Sequence, residues 1–181
     1  MLLDAGKASL LLIDIQERLL PAMAAPETVI AKSKILLAAA RELSLPVTVS
    51  EQYPKGLGRT VPELKSSDAV VFEKTSFSCW RDAALKAHFI ARHDGGRPLV
   101  VVAGIEAHVC VLQSCIDLAN AGFGVFAVGD AMSSRKQASA DLALARMAQA
   151  GVQVINTEMA VFELLERAGS AQFKALSGVI K

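Results

Sequence analysis

Histidine is scarce in this chain: three among 181 residues, at positions 88, 93 and 108. A metal site built on paired imidazoles therefore has no support. Cysteine is equally scarce. Its three copies show no CxxC spacing, which excludes a disulfide framework and suits a reducing compartment. Charge of one sign is missing too: 19 basic and 18 acidic side chains leave a formal +1, without the basic excess a phosphate-neutralising protein carries. No apolar run approaches the ~18–20 residues that cross a bilayer. Asp4 and a short apolar run at 10–13 disagree with a secretory leader. Neither GxGxxG nor GxxxxGK[ST] occurs, which removes the nucleotide-phosphate reading. These absences lead to the expectation of one globular domain over 1–181, cytoplasmic, with no cofactor, no metal, and neither nucleic acid nor membrane as partner.

What is present is apolar. Hydrophobic residues make up 52 % and charged ones 20 %, with a mean hydropathy of +0.39, which excludes intrinsic disorder. The apolar residues fall in short continuous runs at 9–13, 47–49, 69–72, 99–103, 125–128 and 152–155. Uninterrupted Val/Ile/Leu stretches of that length predict strands buried on both faces, as in parallel sheets. Between them, Val29, Ile30, Leu36, Leu37, Ala40 and Leu43 recur at helical spacing, as do Ala84, Leu85, His88 and Phe89. Pro26 suits a first helical turn, Ser78 an N-cap, and Ser134 with Gln137 a capping box. Strand–helix alternation along the chain predicts a three-layer α/β/α domain. The segment 51–62 differs: it is too rich in Gly and Pro for a long helix, and such loops are usually functional or disordered.

In open α/β sheets, ligands bind beyond the carboxyl ends of the strands. Asp14 follows the first predicted strand, Lys74 the third, and Gly104-Ile105-Glu106-Ala107-His108-Val109-Cys110 the fourth. An acid, an amine and a thiol thus converge on one rim. Each also has a plain structural use: Asp in an Asx turn, Lys solvated at the rim, Cys as a small core residue. Cys115, mid-helix among Val111, Leu112 and Ile116, fits that last use. Cys110 stands near the first turn of its helix, where free N–H groups, the helix dipole and a nearby lysine would stabilise a thiolate. Cys79, also at a helix start, ranks second.

The segments Lys74-Thr75-Ser76-Phe77-Ser78 and Gly104-Ile105-Glu106-Ala107-His108-Val109-Cys110-Val111, with Ile13-Asp14-Ile15-Gln16, resemble the isochorismatase-like hydrolase (cysteine hydrolase) family over nearly the whole chain. Residues 51–58 are similar to the subgroup of isochorismatase-domain-containing proteins. The resemblance implies a six-stranded parallel sheet in the order 3-2-1-4-5-6, a catalytic triad of Asp14, Lys74 and Cys110, and a cis peptide at Ile105–Glu106. It also implies self-association into a homo-oligomer. Nicotinamidases of this family hold a metal with Asp and His after the second strand. Here that region reads Ser50-Glu51-Gln52-Tyr53-Pro54, so metal-dependent chemistry is not expected.

The expected activity is hydrolysis of a small amide or related carbonyl compound. Asp14 would take the thiol proton, Lys74 would hold Asp14, and Cys110 would form a thioester. Backbone N–H groups of Glu106 and Cys110 would bind the oxyanion, at about 3–4 kcal/mol per donor. Gln16, Gln52, Tyr53, Phe77, Trp80 and His108 are the expected pocket walls. The alternatives are a catalytically silent binding or scaffold protein on the same fold, and an isochorismatase-type vinyl ether hydrolase, which can dispense with the cysteine. A thiol redox role is disfavoured, because Cys115 lies five residues from Cys110, about 140° round a helix.

Overall fold

A computed structural model describes residues 1–180. Six strands, β1 (Ala8–Ile13), β2 (Val47–Gln52), β3 (Ala69–Lys74), β4 (Leu99–Ile105), β5 (Gly124–Ser133) and β6 (Gln153–Ile155), form one sheet. Every pairing is parallel and the order is β3-β2-β1-β4-β5-β6, as expected. Seven helices accompany them: α1 (Pro26–Glu42), α2 (Pro54–Leu57), α3 (Ala83–Asp94), α4 (Leu112–Asn120), α5 (Gln137–Gln149), α6 (Thr157–Leu165) and α7 (Ala171–Ser177).

Alternation along the strands divides the core in two. On one face Leu10, Leu12, Val101 and Ala103 pack with Val29 and Leu36 of α1 and Ala160 and Leu164 of α6. On the other, Leu11, Ile13, Val100 and Val102 pack with Leu85 and Phe89 of α3, Leu118 of α4 and Met147 of α5. Side chains alternate across a strand, so a strand apolar at every position serves both layers. Each fully buried leucine contributes about 1.5–3 kcal/mol. β1 and β4, buried at every residue, form the centre, and strand order reverses between them. The crevice beyond that reversal is where this architecture presents ligands.

Gly104 is required there. It pairs with Ile13 at φ 149°, and a Cβ on it would run into the backbone oxygen and nitrogen of Ile13. No other residue allows β4 to lie this close to β1 at the point where Asp14 leaves the sheet.

Several local expectations are corrected. β3 is an edge strand, with Val70 and Val71 41 % and 51 % exposed rather than buried on both faces. Ser78 does not cap a helix: Asp82 caps α3, its Oδ1 accepting from the N–H groups of Ala84 and Leu85 at 3.0 and 3.1 Å. Ser134 and Gln137 form no capping box, since α5 starts at Gln137 without a side-chain cap. No cis peptide occurs among the described residues; Glu106 instead takes a left-handed conformation, φ 51° and ψ 62°.

The segment 51–62 is ordered and strapped down. Gln16 Nε2 donates to the carbonyls of Gln52 (3.0 Å) and Gly58 (2.7 Å), and its Oε1 accepts from Gln52 N–H at 2.7 Å. Buried Glu51 accepts from the Thr60 N–H at 2.7 Å and hydroxyl at 2.8 Å, and from Arg59 at 2.9 Å. Burial alone would raise the Glu51 pKa; these donors outweigh it and hold the carboxyl below its ordinary value.

Candidate active site

Three strand ends build the site. Asp14, Tyr53 and Glu106 follow β1, β2 and β4, each in left-handed backbone at φ 56°, 38° and 51°. Such conformations cost about 1–3 kcal/mol each and concentrate at functional sites. At Asp14 the turn leaves a carboxylate buried beyond β1, beside the ends of β2 and β3.

Asp14 and Lys74 form an ion pair at 2.8 Å between Lys74 Nζ and Asp14 Oδ2, with neither side chain exposed. Ser50 Oγ, at the end of β2, donates to Asp14 Oδ1 at 2.7 Å. Lys74 Nζ also donates to Gln52 Oε1 (2.7 Å) and to the carbonyls of Ser76 and Phe77 (both 3.2 Å). A buried charge persists only when paired and hydrogen-bonded in this way. Burial works against the ammonium, yet the Asp14 charge and its companions hold the Lys74 pKa above the usual lysine value.

Cys110 lies in a five-residue π-helical turn, Ala107–Val111, that leads into α4. A regular α-helix would pair the Glu106 carbonyl with the Cys110 N–H. Here that carbonyl accepts instead from Val109 N–H at 2.8 Å and Val111 N–H at 3.4 Å. π-turns of this kind are rare and occur often at functional sites.

The thiol is not held as a thiolate. Burial first, and the Asp14 charge second, raise the Cys110 pKa; Lys74 lowers it by less. The expected stabilisation by the lysine and the helix start is therefore outweighed by desolvation and by the neighbouring carboxylate. Burial pushes Cys79 up to about 11, with Lys74 offsetting part of the effect, and raises Cys115 as well.

The expected wall residues divide. Gln52 accepts from Lys74 Nζ, with its amide also donating to the Thr75 carbonyl at 2.8 Å. Gln16 is fully buried and its amide is committed to the strap. Tyr53 (55 % exposed) and Phe77 (54 %) stand on the rim. Tyr53 lines an open cleft of about 380 Å³ with Pro54, Lys55, Glu73, Lys74 and Thr75. His108 Nδ1 sits 2.9 Å from Ser134 Oγ and 3.4 Å from Glu106 Oε2, while Arg135 Nε donates to Glu106 Oε1 at 2.8 Å. Trp80 engages partners other than Asp14 and Lys74. It packs edge-on against Phe123, with Lys86 over its ring, on the α3 flank. Ser50 and Ser114, both fully buried and bonded to Asp14 and to the Cys110 carbonyl, join the candidate site although the sequence reading missed them.

The last three residues of β2, in the region where the metal-holding relatives were expected to differ, do not fit a metal. Ser50 is bound to Asp14, Glu51 to Thr60 and Arg59, and Gln52 to Lys74 and Thr75. Among the described residues, no group of three or more His, Cys, Asp or Glu is placed to hold a metal ion.

Comparison with known proteins agrees with this arrangement of fold and motifs. The family model described as "Isochorismatase domain" matches residues 8–159. Isochorismatase domain-containing protein 1 of Salmo salar is 41 % identical over 169 residues, covering 93 % of this chain and 59 % of that relative. The chain thus spans about three-fifths of the length of that protein. MAR1 ribonuclease from Caenorhabditis elegans superposes with a TM-score of 0.91 at 34 % identity, covering 99 % of this chain and 92 % of the other. The YcaC gene product of Escherichia coli, described as an octameric hydrolase of unknown specificity, gives 0.91 at 26 %, covering 99 % and 90 %. YcaC from Pseudomonas aeruginosa, solved with hexane-2,5-diol and covalent acrylamide, gives 0.89 at 27 %, covering 98 % and 91 %. A family domain matching most of the chain, together with a 41 % identical relative spanning nearly all of it, shows that this chain belongs to the isochorismatase family.

Proposed function

We propose that this chain is a metal-independent cysteine hydrolase of a small amide or related carbonyl compound. The observation that carries the proposal is the solvent-free Asp14–Lys74 ion pair on the rim that also presents Cys110 on its π-turn. A thiol with a raised pKa is a weak nucleophile until a base takes its proton, and Asp14 is the base in place. Both carboxylate oxygens already accept one hydrogen bond, and each retains a further lone pair.

In this mechanism the Cys110 Sγ–H proton passes to Asp14 as sulfur bonds to the substrate carbonyl carbon. The resulting oxyanion is met by backbone N–H groups of Glu106 and Cys110, a contribution of about 3–4 kcal/mol per donor. Asp14 returns the proton to the leaving amine, the carbon–nitrogen bond breaks and a thioester remains. Asp14 then deprotonates a water that attacks the thioester, and sulfur leaves to recover the proton. Lys74 stays an ammonium throughout, holding Asp14 in position and balancing its charge. Gln52, Tyr53, Phe77 and His108 stand nearest this chemistry as substrate contacts, whereas Gln16 supports the strap behind it. The covalent acrylamide in the Pseudomonas aeruginosa relative supports a site in this fold that admits a small amide. The octameric relative supports self-association of this chain as well.

The test is a screen of small amides with the wild-type protein and Cys110→Ala. Turnover lowered at least ~10³-fold by the substitution is the expected result, because losing a nucleophile removes most of the chemistry. Amide turnover indifferent to Cys110 would defeat the thioester route. With a vinyl ether added to the screen, cleavage of that substrate alone would favour isochorismatase-type chemistry, and inactivity on both would favour a binding role. One observation favours a second reading: the 34 % identical relative named as a ribonuclease. The same screen therefore carries single-stranded RNA as a substrate, and RNA cleavage in preference to amide hydrolysis would replace the first reading.

A further inference from the structure

Ser114 lies one turn into α4, fully buried on its apolar face with Cys115 and Leu118 nearby in the chain. A hydroxyl in such a place must be satisfied from within the protein. Ser114 Oγ accepts from the Cys79 N–H at 2.8 Å and donates to the Cys110 carbonyl at 2.7 Å. These two partners belong to different parts of the site. Cys110 is the proposed nucleophile. Cys79 ends the loop whose Ser76 and Phe77 carbonyls hold the Lys74 ammonium, and Ser76 Oγ ties that loop to the Ser78 carbonyl at 3.0 Å. One hydroxyl therefore completes a chain of contacts that runs from Asp14 through Lys74 and its loop to the backbone of Cys110.

We infer that Ser114 is a positioning residue, which sets the Cys110 thiol against Asp14 by fastening the Lys74 loop to the nucleophile turn. The inference rests on the hydrolase reading above. The role needs a group that both donates and accepts in the volume of a small side chain, which alanine and valine do not supply. The fastening also bears on the π-turn. Without the Ser114 hydroxyl, the Cys110 carbonyl at the end of that turn loses a donor.

The test reads alkylation of Cys110 by iodoacetamide against pH, with the site identified by peptide mass. Sulfur bonds to the methylene carbon, iodide leaves, and the thiol proton goes to Asp14. Base-assisted attack by a protonated thiol gives a flat limb near neutral pH, whereas unassisted attack rises tenfold per pH unit. In the wild type the flat limb is expected, and Asp14→Asn removes it. Ser114→Ala is expected to lower the flat limb at least tenfold, on the order of a hundredfold for a displacement of about 1 Å. Ser114→Thr keeps a hydroxyl able to bond the i−4 carbonyl and restores the limb, while the equally bulky Ser114→Val does not. A purely structural serine predicts the reverse ranking: alanine closest to wild type, and threonine and valine equally impaired. That ranking, or a Ser114→Ala profile superposing on wild type, overturns the inference while leaving the hydrolase reading intact. A wild-type profile with no Asp14-dependent limb overturns the hydrolase reading, and the role of Ser114 with it. The Thr/Val comparison decides the matter alone if the alanine variant does not fold.

Discussion

The Lys74 ammonium and the Asp14 carboxylate meet at 2.8 Å in a place that solvent does not reach. Removing either partner strands the other as an uncompensated buried charge. Lys74→Met is therefore expected to lower unfolding free energy by about 3–5 kcal/mol. The double variant Asp14→Asn/Lys74→Met should recover part of that loss. Denaturant unfolding of the three variants and wild type checks this, and strictly additive losses would contradict the pairing. Lys74→Met should also slow Cys110 alkylation near neutral pH, because the lysine is the group lowering that thiol's pKa.

Among the three thiols, only Cys110 has any access to solvent. Cys79 and Cys115 are wholly enclosed, Cys110 is 4 % exposed, and its neighbour Asp14 is a base. Limiting iodoacetamide on the native protein should mark Cys110 first, with Cys79 and Cys115 reacting only on unfolding. Cys79 has a pKa of about 11 while that of Cys110 lies higher, so a reagent selecting on thiolate fraction alone would take Cys79 first. Peptide mapping distinguishes the two, and preferential labelling of Cys79 would displace Cys110 from the proposed role.

Glu51 links the strap to acid stability. Its pKa is lowered in the folded protein, so its contribution is fully present above the ordinary value of 4.5 and is lost as pH falls through the folded value. Glu51→Gln should destabilise the protein near neutral pH by about 1–3 kcal/mol, since the donors on Thr60 and Arg59 lose a charged acceptor. The gap between variant and wild type should narrow as pH falls below 4.5. A gap of constant size across that range would remove Glu51 from the acid response.

Much of the architecture was legible because the apolar runs at 9–13 and 99–103 have no polar side to turn outward. Such strands have to sit in the middle of a covered sheet. The same reasoning misled at 69–72, because burial of a strand depends on its neighbours, and Val70 and Val71 stand at an edge. Asp14, Lys74 and Cys110 were placed on one rim by their position after strands, which is information the chain carries locally. Ser50 and Ser114 were missed for the opposite reason. A serine in an apolar segment shows its purpose only through partners 36 and 35 residues away, Asp14 and Cys79. The spacing of Ser114 four residues beyond Cys110 was the one local hint. Trp80 was drawn toward the site by its nearness in sequence to Lys74, but the turn after Ser78 carries it to the α3 flank.

The end of β2 yields a prediction about metal. With Ser50, Glu51 and Gln52 all engaged elsewhere, the purified protein should carry no stoichiometric zinc, iron or manganese. Turnover of any substrate found should survive prolonged EDTA or phenanthroline. Elemental analysis near one metal per chain, with activity lost on chelation and restored by that metal, would reopen nicotinamidase-like chemistry.

A nucleophile that rests as a thiol also resists damage. Peroxide attacks thiolates, and the path to sulfenic and sulfinic acids begins from that form. On the proposed reading, the burial and the Asp14 carboxylate that raise the Cys110 pKa would also shield its sulfur from peroxide.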